Sequence, residues 1–198
     1  LSPTELGQLD DALAEAANAQ LETAPAIAAI RLLILTGCRV GEILTLRWSE
    51  VDFEQRCLKL ADSKTGRKTV YLNSAALQIL AGIERADDNP FVIEGNKPGS
   101  HLVGLTRTWF RIRRRAGLAE VRLHDLRHTY ASIGAGMGLS LPIIGKLLGH
   151  TQPVTTQRYA HLAADPMREA AERIGATLGA ALAGRPKAEV VRLTTLKQ

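Results

Sequence analysis

Nearly every position from 25 to 35 is apolar, with Arg31 the exception among alanine, isoleucine and leucine. A helix of that kind has no polar face to turn outward and is buried in the centre of a core. It stops at Thr36-Gly37, so Arg39 emerges from the end of a rigid element, and a new helix begins at about Val40. Upstream, Ser2-Pro3-Thr4-Glu5 reads as a helix start: a capping Ser, Pro at the first helical position and Glu three residues after the cap. That helix runs to about Ala19.

The periodicity then changes. Cys57-Leu58-Lys59-Leu60 and Thr69-Val70-Tyr71-Leu72 are strand-like, and the polar stretch 62–67, with Gly66, reads as the hairpin turn between them. Lys64 sits in that turn. The pattern predicts a helix over 74–85, a polar loop over 86–90, a short strand at Phe91-Val92-Ile93, a loop over 95–100 and a helix over 103–116. In this last helix Leu105, Trp109, Ile112 and Ala116 form an apolar stripe, and Arg107, Arg111 and Arg114 form a second stripe on another face. Further helices are expected over 126–136, 140–148, from Thr155 through Tyr159, and over 166–183. The fold class is mainly α with a small antiparallel β-sheet.

Composition agrees with that class. The chain has 198 residues, 45% hydrophobic and 23% charged, as in an ordinary globular protein, and its 4% aromatic content disfavours a β-sandwich. No apolar run reaches the ~18 residues of a membrane helix, and no signal peptide is visible. Cys38 and Cys57 have no metal-like spacing, which fits a reducing cytoplasm. The chain starts at Leu1 without a Met and reads as part of something longer.

Charge adds a partner. The net charge of +5 suggests a polyanion, and the crowding of arginines between Arg107 and Arg127 strengthens that expectation. With no acids nearby in sequence to pair with them, Arg107, Arg111 and Arg114 are candidate contacts to DNA phosphates; the alternative is a solvated helix face.

The chemistry narrows around His124-Asp125-Leu126-Arg127-His128. His124 and His128 have the i, i+4 spacing of zinc ligands, but Arg127 lies between them and a fixed guanidinium charge repels a metal. Asp52, Glu54, Asp87 and Asp88 form no convincing cluster for Mg²⁺, and no Gly-rich phosphate loop indicates ATP. No cofactor is expected. What remains is Arg39, Lys64, Arg127, histidines and Tyr159. Arginines match the geometry of a phosphate and cannot lose their charge. A tyrosine must be deprotonated to attack, and a lysine whose pKa is lowered by nearby cations can protonate the leaving oxygen. The product would be a phosphotyrosine ester that a second hydroxyl can reseal.

These residues resemble the tyrosine recombinases, or phage-integrase family. Thr36-Gly37-Cys38-Arg39-Val40-Gly41-Glu42 resembles its first arginine box, Ser63-Lys64-Thr65-Gly66 its hairpin lysine, and His124-x-x-Arg127-His128 its second box. Leu147-Leu148-Gly149-His150 and Thr155-Thr156-x-x-Tyr159 complete the set. The resemblance implies a catalytic domain over 1–183 and a tail over 184–198 that either docks on a neighbouring protomer or is disordered. It also implies a core-binding domain that this chain lacks. It implies that Arg39 and Arg127 clamp the scissile phosphate and Lys64 protonates the 5′ oxygen. His124 would assist proton transfer at Tyr159, His150 would hydrogen-bond a non-bridging oxygen, and Tyr159 would attack. His128 and Glu42 are expected in supporting roles, and Tyr71 and Tyr130 as packing residues. The implied partners are double-stranded DNA and other protomers in a tetrameric synapse, with the isolated domain monomeric. A type IB topoisomerase and a non-catalytic DNA-binding module remain as alternatives.

Overall fold

The computed structural model describes residues 1–63, 66–86, 88–150, 152, 154–162 and 166–182. The chain divides into two compact units, Leu1–Ala163 and Ala164–Gln198. The expected tail, 184–198, lies outside the described residues.

In the first unit, α1 (Pro3–Asn18) begins as its sequence requires: the Ser2 hydroxyl accepts from the Glu5 N–H, and the Glu5 carboxylate accepts from the Ser2 N–H. It buries Leu9, Ala12, Leu13 and Ala16, a stripe at helical spacing. α2 (Ala24–Thr36) lies at the centre of the core, and α1, α4, α5 and α6 all pack on it. Gly37 ends α2 in the left-handed conformation at φ +62°. The chain then enters α3 (Val40–Leu44) and a 3-10 turn, Trp48–Glu50.

Three strands follow in the antiparallel order β1-β2-β3: β1 (Val51–Asp52), β2 (Cys57–Ser63) and β3 (Gly66–Tyr71). The expected hairpin is β2–β3, with Leu58 opposite Val70 and Leu60 opposite Lys68. β1 extends the sheet by a strand that the sequence did not predict, because two residues are too few to show a period. Phe91-Val92-Ile93 forms no strand. Phe91 makes a single bridge to Arg47, and the Val92 N–H donates to the Leu46 carbonyl.

Helix α4 (Ser74–Ala81) is capped by Asn73, whose side chain accepts from the Ala76 N–H. It stops at Gly82, short of the expected 85, because glycine is a poor helix former. α5 (Leu105–Arg115) follows, and then α6 (Leu123–Gly136), which starts earlier than the expected 126. The Asp125 carboxylate accepts from the Arg122 N–H at 2.8 Å, which satisfies an N-terminal donor and draws His124 into the first turn. α7 (Leu141–Leu148) ends at Gly149, φ +69°. α8 (Val154–Gln157) is a single turn, so Tyr159 lies just beyond the helix expected to hold it, its N–H donating to the Thr156 carbonyl. The second unit contains α9 (Pro166–Leu182).

The large core is built on α1, α2, the sheet, α4 and α5. A smaller cluster joins Ala131, Ala135, Ile144, Leu148 and Tyr159, so the tyrosine is packed into the α6–α7 layer. Tyr130 is partly buried beside it, as expected of a packing residue, whereas Tyr71 is 69% exposed and does not pack. Among the described residues no helix is long and apolar enough to cross a membrane.

Candidate active site

The ends of α2, α6 and α7 meet at one buried guanidinium. Arg127, on α6, donates from Nη1 to the Gly37 carbonyl and from Nη2 to the Leu148 carbonyl, each at 2.7 Å. It forms no ion pair among the described residues. Burial, and then the charge of Arg39, push its pKa down, but a guanidinium starts so high that it remains charged. The left-handed turn at Gly37 has a further reason: a Cβ there would lie 2.7 Å from Tyr130 Cδ1.

Arg39 stands at the entrance to α3 and is held by Glu42. The Glu42 carboxylate accepts from the Arg39 backbone N–H at 2.9 Å and from Arg39 Nη1 at 2.8 Å. It also accepts from Lys68 Nζ at 2.9 Å. Burial alone would raise the Glu42 pKa; the hydrogen bonds from Arg39 and Lys68 outweigh it and hold the carboxyl below its usual range. Three cations (Arg39, Arg127 and Lys68) thus face one carboxylate, and the surplus positive charge suits an anion.

His150 follows the α7 cap, and its Nδ1 lies 2.9 Å from Thr156 Oγ1. Burial, then Arg127 and Arg39, lower its pKa to about 4, so the ring is a neutral hydrogen-bonding group at neutral pH. Tyr159 is 5% exposed. Burial raises its pKa, with Arg158 and Arg127 opposing. The phenol oxygen lies 2.6 Å from His128 Nδ1. His124, expected to serve Tyr159, instead meets His128 edge-on, with ring centroids 4.8 Å apart. Both histidines are lowered in pKa chiefly by burial, so either can accept a proton only from a stronger acid or as charge develops.

The structure therefore brings together Arg39, Arg127, His124, His150 and Tyr159 through direct contacts and charge interactions. Lys64 lies outside the described residues. Among the described residues no group of three or more His, Cys, Asp or Glu side chains could hold a metal ion.

Two arginines of α5 have acidic partners that are distant in sequence. Arg111 pairs through Nε and Nη2 with Glu22, whose side chain is 5% exposed and which also accepts from the Thr108 hydroxyl. Arg115 pairs with Glu15 at 2.8 Å. These acids are far away in sequence, so the apparent lack of partners was an effect of chain distance. Arg114 stacks over Phe110, 5.6 Å from the ring centroid. Arg107 is exposed and makes no ion pair among the described residues.

Two residues escaped the sequence reading. Thr156 gave no signal beyond its place before Tyr159. Lys68 did: it alternates with Val70 along β3, on the inward face of the sheet, where a lysine is out of place.

The sequence pattern described as the phage integrase family matches residues 4–165. Tyrosine recombinase XerA of Saccharolobus solfataricus is 29% identical over 143 residues, covering 70% of this chain and 46% of the relative. This chain thus spans about half the length of the curated relatives it matches. A crystal structure of XerA recombinase superposes with a TM-score of 0.68 at 26% identity, covering 87% of this chain and 62% of that one. The catalytic domain of bacteriophage HP1 integrase shares the fold, with a TM-score of 0.64 at 24% identity over 87% of this chain and 92% of that one.

Proposed function

This chain belongs to the phage integrase family, and on that premise we propose that it is the catalytic domain of a site-specific DNA recombinase. Its substrate is double-stranded DNA, cut and rejoined through a 3′-phosphotyrosyl link on Tyr159. The observation that carries this reading is the convergence of two arginines, a neutral His150 and a buried Tyr159 within one cationic site.

The chemistry follows from those residues. Arg39 and Arg127 bind the non-bridging oxygens and hold the negative charge that grows in the transition state. His150, uncharged, donates a hydrogen bond to the same phosphate. The Tyr159 oxygen forms a bond to phosphorus as the bond from phosphorus to the 5′ oxygen breaks. The phenol proton passes to imidazole, with His128 the ring in contact with Tyr159 and His124 next to it. Lys64 protonates the departing oxygen. Rejoining reverses each step with a new 5′ hydroxyl, and the ester conserves the energy of the broken bond.

Two partners complete the reading. The rest of the protein supplies the second half of a clamp around DNA, since the relatives extend well beyond this chain. Further protomers assemble on the DNA as a tetramer, in the cytoplasm, and the isolated domain is monomeric. The names of the similar proteins, recombinase and integrase, favour exchange over simple nicking and resealing.

A nicked suicide duplex bearing the candidate attachment site tests the proposal. The full chain should become covalently joined to the 3′ end, and Tyr159→Phe should abolish the adduct. An adduct that persists in Tyr159→Phe assigns the wrong nucleophile; none from the unaltered protein refutes the recombinase reading.

A further inference from the structure

Lys68 takes no part in the reaction just described, yet its side chain is only 5% exposed. It sits on β3 opposite Leu60, on the same face as buried Val70. An aliphatic residue would fill such a position without the desolvation cost of a buried ammonium. The lysine needs another explanation, and its contacts supply one.

Its Nζ reaches Glu42 Oε2 at 2.9 Å, while Glu42 Oε1 accepts from Arg39 Nη1 at 2.8 Å. One carboxylate therefore serves two cations. Its stem also runs over the turn before His150: a Cβ on Gly149 would stand 2.8 Å from both Lys68 Cδ and Cε. Lys68 thus touches, from β3, the acid that holds Arg39 and the backbone that carries His150.

The charge arrangement gives this contact a consequence. A carboxylate paired with Arg39 alone would neutralise that guanidinium and compete with an incoming phosphate for its donors. A second cation on the same carboxylate draws part of that field away. We propose that Lys68 is a positioning residue for the phosphate clamp: it shares Glu42 with Arg39, so that Glu42 orients Arg39 for the scissile phosphate while cancelling less of its charge, and it fixes β3 against the Gly149-His150 turn. This rests on the recombinase reading of the site.

The test uses single-turnover adduct formation by the full chain on the nicked suicide duplex, with DNA affinity and melting temperature measured on the same preparations. Lys68→Met should form the adduct about 10- to 100-fold more slowly, with DNA affinity nearly unchanged, because few of the many phosphate contacts are touched. Lys68→Arg should restore most of the rate. Adding Glu42→Gln to Lys68→Met should recover part of it, since the competing carboxylate is gone. A duplex with sulfur in place of the scissile 5′ oxygen has a leaving group that needs no proton. It should rescue Lys64→Ala but not Lys68→Met.

A wild-type rate in Lys68→Met overturns the proposal. So does rescue of Lys68→Met by the sulfur substrate, which would make Lys68 the proton donor instead. Should Lys68→Met fail to fold, Lys68→Gln keeps a donor to Glu42 without the charge; the same loss is expected, and a wild-type rate refutes the charge-sharing role. An adduct in the unaltered protein with no effect of either variant defeats this inference alone, whereas no adduct in the unaltered protein defeats the recombinase reading beneath it.

Discussion

Replacing Gly37 with alanine should weaken the fold and disarm Arg127 together. The backbone there is left-handed at φ +62°, a conformation that costs an alanine about 1–2 kcal/mol. The new Cβ would stand 2.7 Å from Tyr130 Cδ1, 2.9 Å from Cγ and 3.1 Å from Leu148 Cδ2. A partly buried ring must move to admit it, and overpacking of this kind costs about 1–3 kcal/mol. The sum is about 2–5 kcal/mol, or a fall in melting temperature on the order of 10 °C for a unit of this size. The Gly37 carbonyl also accepts from Arg127 Nη1, so the shifted turn should slow adduct formation about tenfold even in the fraction that remains folded. Urea denaturation of Gly37→Ala, Tyr130→Ala and the double variant separates the two costs. With the ring removed the left-handed penalty and the milder Leu148 contact remain, so a coupling of about 1–3 kcal/mol is expected. A melting point within about 2 °C of wild type, or no coupling to Tyr130→Ala, would falsify this account of the turn.

Further outcomes are expected at His150, Arg111 and Arg107. His150 is held near pKa 4 against 6.5 for a free imidazole, so its contribution to stability is complete above pH 6.5 and is lost as pH falls toward 4. The full shift corresponds to about 3 kcal/mol, reduced because the ring keeps some solvent contact; His150→Gln should flatten that limb of the stability curve. Binding of DNA phosphate should raise the His150 pKa, and NMR titration showing it unchanged in the complex would count against contact with the phosphate. On α5, Arg111→Ala should destabilise by about 1–3 kcal/mol by orphaning buried Glu22 while leaving the salt dependence of DNA binding intact. Arg107→Ala should do the reverse, leaving stability within about 0.5 kcal/mol and lowering the salt slope by about one phosphate; equal slopes for the two variants would remove Arg107 from the DNA interface.

The residues show where sequence reading succeeds and where it stops. The almost wholly apolar 25–35 run became the central helix, since only Arg31, which pairs with Asp10, can face water. The Ser2–Glu5 cap formed as written, because both partners lie within one turn. The boundaries moved where one backbone interaction decided them, as at Asp125, which pulled the start of α6 back to Leu123. The Glu22–Arg111 pair bridges 89 positions, and no local pattern announces it.

The candidate site divides in the same way. The sequence by itself determined the proposed chemistry, because Arg39, Lys64, His124, Arg127, His150 and Tyr159 stand out by residue type and order along the chain. Only the tertiary structure decided the partners: His128 rather than His124 against the phenol, two backbone carbonyls on Arg127, and Lys68 on the acid that holds Arg39. The physical reason is range. Periodicity, capping and motif spacing act over a few residues of chain, whereas hydrogen bonds and charges act over a few ångströms of space, and only folding turns one into the other.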